Sequence, residues 1–156
     1  ISERLPKPEI TNLSLNPGFE DGTRSYWYAS NTYGNAEFSF EVTNESPIEG
    51  SYSGKFSITK AGTSNNRPMF YFKIKEKLVP GNKYTYHFKT KVISGVPKIM
   101  YLNYGAGLKL FGNTLSGVQI WEYEITATAN LEYIYFYMDG RSEGVMLIDD
   151  FEIIVE

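Results

Sequence analysis

The sequence predicts an all-β domain, a β-sandwich or jelly roll built from two antiparallel sheets. Aromatic residues make up 16% of its 156 residues, and Tyr and Phe are typical of strands. Apolar residues recur with a period of two between turn segments such as Val79-Pro80-Gly81-Asn82, the pattern of half-buried strands. No apolar stripe of helical period runs longer than a turn or two, and no internal repeat is evident, which disfavours solenoids and propellers.

The alternation places nine strands and one domain. The predicted strands lie near residues 13–15, 36–42, 54–59, 68–74, 83–93, 98–104, 118–127, 132–138 and 145–155. Residues 1–10 hold two prolines among charged residues and are typical of a linker or a loosely attached lead-in. Residues 11–156 have the length of a single domain. The chain begins at Ile1 without a signal-like segment, so we expect a module of a longer polypeptide.

Composition excludes several classes of protein. The net charge of −3 provides no basic field for a phosphate backbone, so nucleic acid is not expected as a partner. No apolar run approaches the ~20 residues that span a bilayer, so no membrane partner is expected. The absence of cysteine removes disulfides and thiolate sites together without fixing the compartment.

Several strands are predicted to present aromatic and basic side chains on their polar faces. When the apolar residues of 70–74, 84–89 and 133–138 point inward, the opposite parity faces outward. The outward residues include Tyr71, Lys73, His87, Lys89, Tyr133, Tyr135 and Tyr137. Tyr rings can stack on sugar rings while the phenol bonds a hydroxyl. The alternative is that Tyr simply favours strands and pairs across them.

Carboxylates lie within apolar surroundings near both ends of the chain. Glu20 follows Asn16-Pro17-Gly18-Phe19, and Asp149-Asp150 interrupts the last apolar run. Burying a carboxylate without a counter-charge costs several kcal/mol, so we expect a cation or a dense hydrogen-bond network where the two ends meet. Hard oxygen ligands of this kind suit calcium.

Six sequence elements follow one another in an order that resembles carbohydrate-binding modules of families four, nine, sixteen and twenty-two. They are Asn16-Pro17-Gly18-Phe19-Glu20, Trp27, Gly50-Ser51-Tyr52-Ser53-Gly54-Lys55-Phe56-Ser57, Val79-Pro80-Gly81-Asn82-Lys83-Tyr84, Trp121 and Ile148-Asp149-Asp150-Phe151. The resemblance covers about residues 11–155. It implies a β-jelly roll that contains a structural calcium. It also implies that the domain binds glycan chains in a cleft across one sheet.

The resemblance also implies particular site residues. The implied calcium ligands are Glu20, Asp149 or Asp150, the carbonyl of Gly18, and carbonyls of the turn from Gly50 to Lys55, with Ser51 and Gly54 as the residues chosen there. Asp149 is preferred to Asp150 because it shares the parity of Leu147, Phe151 and Ile153. Trp27 stands at the spacing where the sixteenth family uses a sugar-stacking ring.

The expected function is therefore non-catalytic binding of a polysaccharide of the β-glucan, mannan or xylan type. Trp27, Tyr71, Tyr135 and Tyr137 are expected to stack on the chain, while His87 and Lys89 bond its hydroxyls. We expect a monomeric module of a secreted or cell-surface protein, accessory to a glycoside hydrolase. The alternative is a structural or adhesion module of a larger cell-surface or phage protein.

Catalysis is not predicted. Glycoside hydrolysis needs two carboxylates across a cleft, and Glu122 and Glu124 read as solvated residues of a strand face. His87 is the sole histidine, and no Gly-x-Ser-x-Gly elbow accompanies it. No Gly-rich loop has the residues that hold a phosphate.

Overall fold

A computed structural model describes residues 12–30, 35–63, 68–103, 108–110 and 117–156. The predicted lead-in, residues 1–10, lies outside the described residues. Within them every regular element is a strand, and they contain no helix of the length and apolarity needed to cross a membrane.

Ten strands are found in these ranges, and they include every predicted strand except the first. They are β1 (Trp27–Ser30), β2 (Glu37–Thr43), β3 (Ser53–Lys60), β4 (Met69–Lys73), β5 (Lys83–Gly95), β6 (Ile99–Asn103), β7 (Leu108–Leu110), β8 (Val118–Thr126), β9 (Tyr133–Met138) and β10 (Gly144–Val155). Eight of the predicted strands agree with the structure to within two residues at either end.

The strands form two five-stranded antiparallel sheets, which confirms the predicted all-β sandwich. One sheet has the order β1-β4-β9-β6-β7, and we call it the tyrosine sheet. The other has the order β2-β3-β10-β5-β8 and contains the two longest strands; we call it the long-strand sheet. Strands that are consecutive in the chain often lie in different sheets, so the domain closes only when distant segments meet.

Aromatic side chains fill the space between the sheets. Phe70 of β4 stacks on Phe136 of β9 with ring centroids 4.7 Å apart, and Phe88 of β5 stacks on Phe151 of β10 at 5.0 Å. All four rings are fully buried. Each buried Phe contributes about 1.5–3 kcal/mol through its removal from water, and stacked pairs add about 0.5–1.5 kcal/mol.

The two ends of the domain are joined as the sequence predicts, although residues 13–15 form no strand. Asn12 bridges Ile154 of β10, and Ser14 bridges Ile74 after β4, so the first segment touches both sheets.

Two short strands, β1 and β7, were not predicted because four and three residues are too few to show alternation.

Candidate functional site

The outer face of the tyrosine sheet carries a cluster of tyrosines. On four of its strands, tyrosines that are exposed or half-buried lie next to fully buried residues. We call this cluster the tyrosine array; it consists of Tyr28 on β1, Tyr71 on β4, Tyr101 on β6, and Tyr133, Tyr135 and Tyr137 on β9. The predicted outward positions of Tyr71, Tyr135 and Tyr137 are therefore confirmed, and the structure brings these three side chains together.

Strand register explains why the rings meet. Tyr28 is paired with Tyr71 across β1 and β4, and Tyr71 with Tyr135 across β4 and β9. The corresponding ring centroids lie 5.3 and 5.1 Å apart. Tyr101 is paired with Tyr137, and these two rings meet edge to face at 6.5 Å. Antiparallel pairing thus sets one row of three tyrosines across three strands.

Two members of the array escaped the sequence analysis for different reasons. Tyr28 lies on β1, a strand too short to be recognised. Tyr101 lies on a predicted strand, but the pairing of β6 with β9 is irregular between Ile99 and Tyr101. Such a bulge changes the parity of the side chains, which is why both Ile99 and Leu102 are buried. Simple alternation gives no means of finding it.

Packing within the array raises the pKa of Tyr135. Burial raises the pKa of the Tyr135 phenol, and the neighbouring phenols of Tyr137, Tyr71 and Tyr133 raise it further. Tyr135 is consequently a neutral hydroxyl at physiological pH, able both to donate and to accept a hydrogen bond.

Trp27 is a core residue, which corrects its prediction as a sugar-stacking ring. Its side chain is 1% exposed and packs against Phe19 and Phe72 with centroid distances of 4.7 and 4.5 Å. Its indole Nε1 donates a hydrogen bond to the Asn16 carbonyl at 3.1 Å. Trp27 faces inward on β1, and its successor Tyr28 faces outward.

His87 and Lys89 lie on the opposite sheet from the tyrosine array, which corrects their predicted place beside it. Both belong to β5, whose neighbours are β10 and β8. Lys89 pairs with Glu49 and, at 3.4 Å, with Asp150. The hydrogen bond from Lys89 to Glu49 is the main reason that its pKa is raised, and the bond to Asp150 also raises it, against the opposing effect of burial. Lys89 is therefore engaged in a structural ion pair.

An open depression adjoins the tyrosine array at the β1 edge. Its volume is about 700 Å³, and it is lined by residues 21 and 23–28. Asn16 Nδ2 donates to the carbonyls of Thr23 and Ser25 at 2.9 and 3.2 Å, and the Asp21 carboxylate accepts from the Thr23 amide at 2.8 Å. These bonds give the polar wall of the depression a defined shape.

The predicted metal residues Glu20 and Asp149 lie close together at the other side of that loop. A Cβ added to Gly18 would lie 3.6 Å from Asp149 Oδ1 and 4.0 Å from Glu20 Oε1, so both carboxylates converge on Gly18. The Glu20 carboxylate accepts the amide of Ser51 at 3.0 and 3.1 Å. The turn from Gly50 therefore meets the Asn16–Glu20 segment at Glu20, through an amide of Ser51.

Asp149 is buried and held by neutral donors. Its Oδ2 accepts from Ser53 Oγ at 2.7 Å and from the Glu49 amide at 3.0 Å, and its Oδ1 accepts from the Asp150 amide at 2.8 Å. Burial raises the pKa of the Asp149 carboxyl; these hydrogen bonds lower it, and the charge of Glu20 raises it, with a net upward shift. The surroundings of Asp149 therefore disfavour its charged form.

The remaining predicted metal residues take other positions. Asp150 has a φ of 52° and directs its carboxylate to Lys89. Gly54 lies inside β3, paired with Val42 and Ile148 on its two sides. Added there, a Cβ would come within 2.7 Å of the Phe19 ring, so this glycine makes room for core packing. The Asp150 side chain therefore pairs with Lys89, and only its backbone amide reaches the Asp149 carboxylate.

The carboxylates weighed for hydrolysis lie on the outer face of the long-strand sheet. Glu122 and Glu124 are exposed on β8, opposite His87 and Thr85 of β5. Glu124 pairs with Lys83 at 3.8 Å. Both side chains are exposed to solvent, as expected from the sequence.

Comparison with solved structures places this fold among carbohydrate-binding modules. The chain is similar to a family 61 carbohydrate-binding module in complex with β-1,4-galactotriose, with 22% identity, a TM-score of 0.60, and coverage of 94% of this chain and 99% of that one. It is also similar to the CBM22-1 xylan-binding domain of Xyn10C from Paenibacillus barcinonensis, with 13% identity, a TM-score of 0.60, and coverage of 88% and 90%. Modules of families 4 and 16 share the fold as well.

Other similar structures are parts of larger chains. The enzymatically active domain of tailspike protein 4 from bacteriophage CBA120 is 16% identical with a TM-score of 0.66; the match covers 93% of this chain and 21% of that one. No protein-family model and no curated protein sequence matches the chain. The chain shares its fold with modules of families 4, 16 and 22, and the resemblance is confirmed at the level of the fold.

Proposed function

We propose that this domain is a non-catalytic carbohydrate-binding module that holds a polysaccharide on the outer face of the tyrosine sheet. The tyrosine array is the observation that carries the proposal. Six amphipathic rings on one sheet face, together with a shaped polar depression at its edge, supply the apolar surface and the hydrogen-bonding groups that sugars require.

A neutral β-linked polysaccharide of the glucan, mannan, xylan or galactan type is the proposed ligand. The first three are the types expected from the sequence, and the galactotriose and xylan named for the similar modules support a ligand of this chemistry. Uncharged phenols recognise hydroxyl groups without requiring a charged partner. An open, wet face gives weak binding, with dissociation constants from micromolar to millimolar, or about −8 to −4 kcal/mol.

We further propose that calcium binds between Glu20 and Asp149. The donor chemistry fits a hard cation, because two carboxylates converge on Gly18 and the donors to Asp149 are neutral. Among the described residues no three Asp, Glu, His or Cys side chains form one metal-binding group. Calcium takes six to eight oxygen ligands, so backbone carbonyls and water would supply the rest. The ion would neutralise charge and tie the Asn16–Glu20 segment to β10.

The proposed setting is a module of a secreted or cell-surface protein that degrades polysaccharide. The similarity to the phage tailspike domain supports a second candidate, a structural module of a larger surface or phage protein. Both settings use the same sandwich, and glycan binding by the isolated domain separates them.

Affinity electrophoresis tests the proposed function directly. Gels containing soluble xylan, β-1,4-galactan, mannan or mixed-linkage β-glucan are expected to retard the domain, and Tyr71→Ala and Tyr135→Ala to reduce the retardation. His87→Ala, on the outer face of the opposite sheet, is the matched control and should migrate like the wild type. Wild-type migration unaffected by every polymer would refute glycan binding and favour the structural module.

A further inference from the structure

The tyrosine rings of the row Tyr28, Tyr71 and Tyr135 lie side by side across the sheet. Tyr71 has Tyr28 on one side at 5.3 Å and 25° between ring planes, and Tyr135 on the other at 5.1 Å and 31°. These spacings are close to the ~4.8 Å between neighbouring strands, so each strand contributes one ring to a row that runs across the strands. Tyr71 is therefore flanked by a stacked ring on one side and a tilted ring on the other.

A ring that is flanked on both sides leaves mainly its outer edge open to solvent, and Tyr71 is accordingly only partly exposed. Tyr133 meets Tyr71 edge to face, with 74° between the planes and 5.9 Å between centroids, which adds a further contact to the covered ring. What the central rings offer to a ligand is the phenol hydroxyl and the adjoining ring edge. A flat sugar cannot stack on Tyr71 unless a neighbouring ring moves.

Tyr28 differs from the rings beside it. It lies on β1, at the edge of the described sheet, and it is 42% exposed, whereas the other tyrosines of the array are only partly exposed. Tyr71 stacks on one of its faces, and the depression lined by residues 21 and 23–28 lies beside it. A volume of about 700 Å³ is in the range of small-molecule sites.

We propose that Tyr28 is the stacking residue of the glycan site, and that the polysaccharide passes from the depression over Tyr71 and Tyr135, which bind it through their hydroxyls. The inference rests on the proposed function and adds the mode of binding to it. One sugar residue lies flat against Tyr28, and its neighbours contact the hydroxyls of Tyr71 and Tyr135.

Substitution by Phe and by Ala separates stacking from hydrogen bonding at each ring. The probe is the polymer that retards the wild type most, followed by its oligosaccharides in titration calorimetry. Tyr28→Phe should bind within about twofold of the wild type because it keeps the ring face, and Tyr28→Ala should bind roughly tenfold more weakly. Tyr71→Phe and Tyr135→Phe should each weaken binding roughly two- to tenfold, because each loses a hydroxyl hydrogen bond.

Nuclear magnetic resonance of the oligosaccharide, recorded with each variant saturated with the sugar, reports the stacking itself. Ring currents of Tyr28 should shift C–H protons of one bound sugar upfield in the wild type and in Tyr28→Phe, but not in Tyr28→Ala. Wild-type affinity in Tyr28→Ala, or equal losses in Tyr28→Phe and Tyr28→Ala, would overturn the inference while leaving the proposed function intact. Wild-type affinity in both Tyr71→Phe and Tyr135→Phe would overturn it as well. Absence of wild-type binding to any glycan would instead refute the proposed function.

Discussion

A single position decides whether an aromatic residue of β1 serves the core or the surface. Trp27 and Tyr28 are adjacent members of the aromatic run Tyr26-Trp27-Tyr28, which follows the Gly-Phe-Glu segment. Adjacent residues of a strand face opposite sides of the sheet, and the core lies on the side of Trp27. The sequence contains a run of three aromatic residues here, but the inward member is known only once the sheet is placed.

Trp27→Ala is expected to destabilise the domain. Removal of a buried Trp leaves a cavity and costs about 3–5 kcal/mol, and the Asn16 carbonyl loses its indole donor. Urea unfolding monitored by circular dichroism should show the loss. Tyr28→Ala, one residue further along, is the matched control and should change the unfolding free energy by far less. Equal effects of the two substitutions would contradict the assignment of Trp27 to the core.

Asp139 is expected to link stability to pH through Arg141. Burial alone would raise the pKa of this carboxyl, but hydrogen bonds from the Arg141 side chain and amide, and the charges of Arg141 and Lys98, hold it below its usual value. A lowered pKa in the folded state gives stability that is present above the unfolded value, near 3.8, and is lost as the pH falls through the folded value.

Arg141→Ala should therefore lower stability at pH 7 more than at pH 3. The variant keeps the burial of Asp139 and loses the guanidinium that offsets it, so the two unfolding free energies should converge as the carboxyl is protonated in both proteins. Chemical unfolding at several pH values measures the difference. Lys60→Ala, which removes an exposed ion pair with Glu37, is the control. A loss of stability in Arg141→Ala that is the same at all pH values would contradict this account.

At the scale of the element, β-bulges explain why some side chains lie on a different face of the strand from the one that simple alternation predicts. Alternation gives Asp149 the parity of Leu147, Phe151 and Ile153 and so places it in the core. In the structure the pairing of β10 with β5 is irregular between Asp149 and Glu152. The parity therefore changes within the strand: Phe151 and Ile153 enter the core, and Asp149 lies on the other face, buried by contacts with Glu49 and Ser53.

Asp150 is expected to hold this bulge through its backbone. Its φ of 52° is in the left-handed region, which Asp and Asn tolerate and β-branched residues do not. Asp150→Val should destabilise the domain by about 1–3 kcal/mol. Asp150→Asn removes the ion pair with Lys89 but keeps a tolerant backbone, so its unfolding midpoint should stay near that of the wild type. If Asp150→Asn were as unstable as Asp150→Val, the ion pair would be the determinant instead.

At the scale of the whole molecule, the sequence predicts the fold better than the site. The period of two, the frequent turns and the ordered motifs identify the sandwich, because these properties depend on local sequence. The site depends on which strands become neighbours. Tyr71 and Tyr135 are 64 positions apart and meet through register, whereas Lys89 and Tyr71 are closer in the chain and lie in different sheets. Parity finds outward residues but does not assign a strand to a sheet.

The proposed calcium is expected to stabilise the sandwich by joining its first segment to its last strand. An ion that binds only the folded state raises stability by mass action, so EDTA should lower the melting temperature, and readdition of calcium should restore it. Asp149→Ala should lose this response, while Glu45→Ala, an exposed acid elsewhere, should keep it. Melting temperatures that are the same with EDTA and with calcium would refute the proposed ion.

The pH dependence of the calcium effect follows from Asp149. Without metal, its raised pKa means that its contribution favours the folded state below the unfolded value and is lost as the pH rises through the folded value. Calcium needs the deprotonated carboxylate. The increase in melting temperature on adding calcium should therefore become smaller as the pH falls from 7 towards the pKa, measured by calorimetry in parallel buffers.

The close spacing of the tyrosine array has an optical consequence. The ultraviolet transitions of aromatic rings couple when the rings lie about 5 Å apart in a fixed orientation, and Tyr28, Tyr71 and Tyr135 meet this condition in one row. The near-ultraviolet circular dichroism of the folded domain should therefore carry a signature of the ordered row as a whole, which changes when any one ring is removed or reoriented. The near-ultraviolet signal of these tyrosines thus reports directly on the surface that we propose for the ligand, and changes in that surface can be measured without an attached dye.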